Sequence, residues 1–155
     1  MNVRPFVKHF LKKVSRYYQI YIFTASTFTY ANVVVNFLDP KSKYITGILD
    51  RNYCKDIAGV AYVKDLRIVR NRDLKDICIV DNMSHSFALQ KSNGIPILSW
   101  LSDKNDTELK FLSDYLIEAS FKDNLMTWNE ENLRLSKLES LKEKHLKEKV
   151  TSIVF

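Results

Sequence analysis

Three polar points along this chain could act together on a phosphate. Thr24 follows the uncharged run Ile20-Tyr21-Ile22-Phe23, and Asp81-Asn82 follows a second run, Ile77-Cys78-Ile79-Val80. Lys64 lies between them, in Tyr62-Val63-Lys64-Asp65-Leu66. A threonine hydroxyl can donate to a phosphate oxygen, and an ammonium can neutralise phosphate charge as a point charge. Asn82 can offer its side-chain oxygen to a hard cation such as Mg²⁺, and Asp81 can add or orient a second oxygen there. Ser26 and nearby backbone N–H groups could help, because a helix is expected to begin just after them and its N-terminus favours anions. Strand tips in an open α/β sheet are where ligands bind. Taken singly, each of these residues is an ordinary turn or solvated residue; order and context join them. Equally informative, no Asp-x-Asp pair occurs anywhere in the chain, so the obvious nucleophile for such a site is absent from it.

The elements that must hold these points read as follows. Phe6, Val7, Phe10, Leu11 and Val14 recur at helical spacing, which predicts a helix from about Pro5 to Tyr17. Ile20 to Phe23 predicts a short buried strand. Thr27 to Leu38 predicts a helix that stops near Asp39-Pro40. Residues 44–49 and 59–63 predict short strands at the domain edge. Ile77–Val80 predicts a buried strand, and Ile95–Leu98 another whose Pro96 suits a strand start or an edge. Asp106-Thr107-Glu108 opens a helix with Leu109, Leu112, Leu116 and Ile117 on one face. Residues 130–149 are helical in composition and heavily charged. Val150-Thr151-Ser152-Ile153-Val154-Phe155 is an apolar stretch with strand propensity, able in principle to add to a sheet. This order predicts a doubly wound α/β sheet with a small β insert.

Composition narrows the function classes. The 155 residues suffice for one domain with a real core. The formal charge of +6 favours anionic partners without naming one. Arg4, Lys8, Lys12, Lys13 and Arg16 meet no acid before residue 39, which reads as a solvated helix face. No nucleic-acid motif is visible. Cys54 and Cys78 make no disulfide framework, and His9, His85 and His145 make no metal pair, so a reducing compartment fits best. No run approaches the roughly 20 apolar residues of a membrane span.

Arg4-Pro5, Phe23-Thr24-Ala25-Ser26, Tyr62-Val63-Lys64-Asp65-Leu66, Val80-Asp81-Asn82, and Ser99-Trp100 with Asp106-Thr107-Glu108-Leu109 resemble, in order and spacing, the C-terminal-domain phosphatase-like (NLI-interacting-factor) family of the haloacid dehalogenase superfamily. Leu38-Asp39-Pro40-Lys41 and Ser92-Asn93-Gly94-Ile95-Pro96 are most similar to its small-phosphatase-like members. The resemblance implies a three-layer, mostly parallel α/β sheet and a Mg²⁺-dependent protein serine/threonine phosphatase acting on phosphoproteins. In such enzymes an Asp-x-Asp-x-Thr segment supplies the nucleophile, which becomes an aspartyl-phosphate, and the general acid. Thr24 and Lys64 match the family's phosphate-holding residues, and Asn82, with Asp81 beside it, the Mg²⁺ side.

The resemblance also implies a loss. The family's Arg-Pro follows the nucleophile motif by several tens of residues, whereas here it stands at positions 4 and 5. Asp39, Asp50, Asp65, Asp73 and Asp103 lack the strand in front and the second carboxylate behind, so none replaces it. The expectation is an N-terminally truncated phosphatase domain over residues 1–125 with a charged helical tail over 126–155, without a catalytic nucleophile and inactive as it stands. Its central strand, between those ending at Thr24 and Asp81, would be missing. The alternative is a non-catalytic pseudophosphatase module or scaffold, including the mitochondrial import-receptor branch. Nucleus or cytoplasm is the expected compartment, with the mitochondrial inner membrane open under that alternative.

Overall fold

The computed structural model describes residues 2–135. Of the segment 130–149 expected to be helical, residues 130–133 belong to a helix, while residues 136–149 and the segment 150–155 lie outside the described residues. Six short strands and four helices follow in the order α1 (Val7–Val14), β1 (Ile20–Phe23), α2 (Phe28–Leu38), β2 (Ile45–Leu49), β3 (Lys55–Ile57), β4 (Ala61–Val63), β5 (Ile79–Asp81), β6 (Gly94–Pro96), α3 (Glu108–Ala119) and α4 (Leu125–Leu133). Among the described residues the strands pair only in twos. β1 runs parallel to β2, with Phe23 opposite Leu49. β5 runs parallel to β6, with Asp81 opposite Pro96. β3 and β4 form an antiparallel hairpin between these half-sheets in sequence.

The core joins the two half-sheets through side chains rather than through a shared ladder. Val14 of α1, Leu112 and Leu116 of α3 and Ile95 of β6 make its centre, and Ile20, Cys78 and Val80 pack against them. A second cluster of Leu66, Ile79 and Phe87 receives Phe23 and Leu135. Long-range polar contacts fasten α1 to α3. Arg4 donates through Nε and Nη2 to both carboxylate oxygens of Asp106, at 2.8 and 2.7 Å. Its third donor group, Nη1, reaches the Leu98 carbonyl. Such a fork fixes direction as well as distance. Tyr18 donates its hydroxyl to the Leu116 carbonyl at 2.7 Å, and Lys13 pairs with Asp114.

Two expectations change. Helix α1 starts two residues later than predicted, because Pro5 lies in a turn and Phe6 takes a left-handed φ of 64°. β1 is not fully buried: Tyr21 is 49% exposed, its ring lying over Gly47 of β2. A strand paired on one edge only leaves such a side chain in reach of water. The predicted strands near 77–80 and 95–98 appear as Ile79–Asp81 and Gly94–Pro96. Asn93, wholly buried, sets that register by donating to the Leu74 and Ile77 carbonyls at 2.6 and 2.7 Å.

Candidate functional site

Thr24 continues the β1–β2 ladder one residue beyond β1, its N–H donating to the Leu49 carbonyl at 2.9 Å. Its hydroxyl oxygen accepts the Ser26 N–H at 3.1 Å, closing a local turn before α2. Arg51, just after β2, holds this loop from outside. Its backbone N–H donates to the Ser26 carbonyl, and its Nε to the Ala25 carbonyl at 2.6 Å. The guanidinium also lies 5.3 Å from the Tyr62 ring centroid.

Lys64 follows β4, and its N–H donates to the Ser86 carbonyl at 2.7 Å. Its ammonium meets Asp81 Oδ2 at 2.5 Å, with the two side chains only 12% and 7% exposed. It also stands 5.9 Å from the Phe23 ring centroid, next door to Thr24. The other carboxylate oxygen of Asp81 accepts the Met83 N–H at 2.8 Å. Both oxygens of this acid are therefore engaged. The Cys54 thiol lies 3.7 Å from the Thr24 carbonyl. Burial raises its pKa above the ordinary thiol value, and it lies within the fields of Lys64, Asp50 and Asp81. The Lys64–Asp81 pair thus stands beside Phe23-Thr24 at the C-terminal ends of β1 and β5, with Cys54 against the Thr24 carbonyl, where the α/β switch-point rule places ligands.

Asn82 stands apart. It is exposed, and its amide donates to the Ser99 hydroxyl at 2.9 Å. The residues present do not by themselves fit Mg²⁺. One carboxylate, already bound by an ammonium and a backbone N–H, and one carboxamide are a thin oxygen set for an ion that prefers octahedral geometry. Among the described residues no cluster of three His, Cys, Asp or Glu side chains could hold a metal.

Three of the acids set aside as nucleophiles have local roles. Asp39 accepts the backbone N–H groups of Lys43, Tyr44 and Ile45. Burial alone would raise its pKa, yet these donors hold it below the usual carboxylate range. Asp65 is held well below that range by Arg67, first of all, and by Lys55 and Gln90, against the opposing pull of burial. Asp50 caps the turn at Asn52. Cys54, Arg51 and Ser99 carry no signal in the sequence that would place them here. Cys54 reaches Thr24 because the chain folds back just beyond β2, and no motif marks that turn.

The half-sheets with site groups at their C-terminal ends define an α/β fold, and a solved structure shares it. The structure of Fcp1, an essential RNA polymerase II CTD phosphatase, superposes with a TM-score of 0.67 over 90% of this chain and 50% of that one, at 18% identity. The shared fold is the mostly parallel, layered arrangement of the haloacid dehalogenase kind. The profile of the NLI interacting factor-like phosphatase family matches residues 1–126, and the chain belongs to that family. It is 47% identical over 113 residues to CTD small phosphatase-like protein 2 of Dictyostelium discoideum, covering 73% of this chain and 19% of that protein. It is 44% identical over 116 residues to CTD small phosphatase-like protein 3 of Caenorhabditis elegans, covering 75% and 40%. With CTD nuclear envelope phosphatase 1B of Danio rerio it shares 34% over 138 residues, covering 89% and 56%. The chain thus spans between 19% and 56% of the length of these relatives.

Proposed function

We propose that this chain is the phosphate-holding part of a protein serine/threonine phosphatase domain. The carboxylate that accepts the phosphoryl group would be supplied from outside these 155 residues. One observation carries the reading: Lys64, paired with Asp81 at 2.5 Å, stands beside Phe23-Thr24 where both half-sheets end. Membership of the phosphatase family supports it. Thr24 and Lys64 hold the phosphate of a phosphoserine or phosphothreonine, the lysine exchanging part of its contact with Asp81 for phosphate oxygens. Positioning and charge of this kind stabilise a phosphoryl group but do not form a bond to it. In the complete domain the incoming carboxylate attacks phosphorus, the P–O bond to the serine or threonine breaks, and the leaving oxygen takes a proton. Water then hydrolyses the acyl phosphate, releasing inorganic phosphate. Mg²⁺, if used, requires oxygens beyond those of Asp81 and Asn82. Relatives named for the nuclear envelope favour a nuclear or cytoplasm-facing setting. Residues 1–125 are the domain part in this reading, and 126–155 the tail.

The test has two arms. A phosphoserine peptide titrated into the 155-residue chain binds weakly, and Lys64→Ala weakens binding at least tenfold. Hydrolysis of p-nitrophenyl phosphate with Mg²⁺ stays at background. Turnover that Asn82→Ala abolishes would overturn the claim that the nucleophile lies elsewhere, and absence of any phosphate binding would overturn the role of Lys64.

A further inference from the structure

Between the two half-sheets runs a cleft of about 740 Å³, walled among others by Ile20, Phe23, Cys78 and Val80. It is the place for the strand that the proposed function brings from outside. A different surface has no role in that reading: the outer side of α1 and α3. The two helices run parallel. Arg4 meets Asp106, Lys13 meets Asp114 and the Tyr17 ring meets Phe121, so the contacts rise together along both. Leu11 and Val14 of α1, and Leu112, Leu116 and Ala119 of α3, are buried beneath. The outer side is cationic. Lys8, Lys12 and Arg16 are exposed and stand four residues apart, which places them on one stripe about 12 Å long. Among the described residues the ion pairs use Arg4, Lys13, Lys55, Lys64 and Arg67, and none of these three. α1 itself carries no acid. On α3, Asp114 is paired with Lys13, and Glu118 is the one other exposed acid. Exposed Lys110 and Lys122 add two cations near its ends, with Asp123 following the second.

Two phenylalanines project among these charges. Phe111 is 66% exposed and Phe121 73%, each next to a lysine, at Lys110 and Lys122. Helical spacing sets them on the Asp114 side of α3, about 15 Å apart along its axis. Phe121 is held edge-on against Tyr17, with ring centroids 5.9 Å apart. Cations alone would suit any anion. Rings without a polar atom, standing at the level of the cations, suit a surface whose charge lies over hydrocarbon. We propose that this face docks on an anionic lipid surface. The cations meet the charged lipid head groups, and Phe111 and Phe121 reach the boundary with the acyl chains. None of Lys8, Lys12, Arg16, Phe111 and Phe121 lines the cleft. The face is the outer side of a helix pair, whereas a single-stranded nucleic acid is held in a groove that tracks its backbone. Thr24 lies at the other end of β1 from Tyr17, so this face and the phosphate site are distinct. The proposal does not rest on the phosphatase reading.

Vesicle co-sedimentation of the 155-residue chain tests it. Binding is expected to vesicles of phosphatidylserine and phosphatidylcholine in equal parts, and not to phosphatidylcholine alone. Each basic side chain near an anionic leaflet raises partitioning about fivefold, so Lys8→Gln, Lys12→Gln and Arg16→Gln together should lower it about a hundredfold. Insertion is read separately, on chains that keep every cation. Phe121→Trp and Phe111→Trp each add fluorescence that lipids brominated in the acyl chain quench, whereas Val60→Trp, at the exposed tip of the β3–β4 hairpin, adds fluorescence that they do not. Equal binding to the two kinds of vesicle, or a loss below about tenfold in the triple variant, would overturn the proposal. So would quenching that is absent at Phe121→Trp or equal at Val60→Trp. Tighter binding to poly-dT or to poly-glutamate than to the anionic vesicles, lost in the same triple variant, would assign the face to another polyanion and overturn it as well.

Discussion

The two half-sheets meet the same cleft but are built to different tolerances. The β5–β6 half is embedded. Ile79, Asp81, Gly94 and Ile95 are buried, Asn93 is wholly so, and Gly94 approaches Phe87 so closely that a Cβ would lie 2.2 Å from the ring. The β1–β2 half is open. Tyr21 is 49% exposed, and α2, which covers β2, shows Tyr30, Val33 and Phe37 to solvent while burying only Ala31. A β-carbon at Gly47 would meet only the Tyr21 ring, at 3.1 Å, and that ring can swing toward water. The site is therefore asymmetric. Its carboxylate stands on the rigid half, with Lys64 of the hairpin paired to it, and its hydroxyl stands on a half that can adjust to what binds.

The largest effect that sharpens this contrast is expected at Asp81. Asp81→Ala leaves the Lys64 ammonium largely buried without its partner, a change that typically costs about 3–5 kcal/mol. Chemical denaturation reads it, and replacing both residues by apolar ones of similar size restores much of the loss. Next comes Gly94→Ala, expected to cost about 1–3 kcal/mol by overpacking against Phe87. Gly47→Ala costs under about 1 kcal/mol by comparison; equal losses at the two glycines would break the contrast. On the open half, Val33→Thr stays within about 0.5 kcal/mol of the parent in the same measurement.

A pH experiment probes the turn after the hairpin, which belongs to neither half. Asp65, beside Lys64 in sequence, is 4% exposed and its folded pKa is depressed, chiefly by Arg67. A depressed carboxylate contributes stability that is present above its unfolded value, about 3.9, and lost as pH falls through the folded value. Stability should therefore drop on acidification below about pH 4, and Asp65→Asn should flatten that drop. An unchanged acid limb in the variant would assign the loss elsewhere.

The strands were legible because β-branched and aromatic residues run together without charge before Thr24 and Asp81, a pattern that needs no tertiary information. Their ends were not, since Asn93 and the Leu74 and Ile77 carbonyls shift β5 and β6 by hydrogen bonds between distant turns. Thr24, Lys64 and Asp81 could be named as candidates from type and context. The Lys64–Asp81 pair could not, because it depends on how the hairpin of β3 and β4 returns to β5. Asn82 shows the limit from the other side: its amide nitrogen donates to Ser99, a contact no local signal marks, while its side-chain oxygen takes no part in that bond. The Arg4–Asp106 fork joins positions 102 residues apart, beyond the reach of any local signal.

That fork also has a consequence during synthesis. Arg4, Lys13 and Tyr18 find their partners at Asp106, Asp114 and Leu116. The ribosome adds about 5–20 residues per second, so α1 leaves the exit tunnel several seconds before those partners exist. Its apolar stripe, with Leu11 and Val14 buried only in the finished protein, then has nowhere to dock. Until then this newborn helix presents an uncovered apolar stripe of the kind chaperones bind.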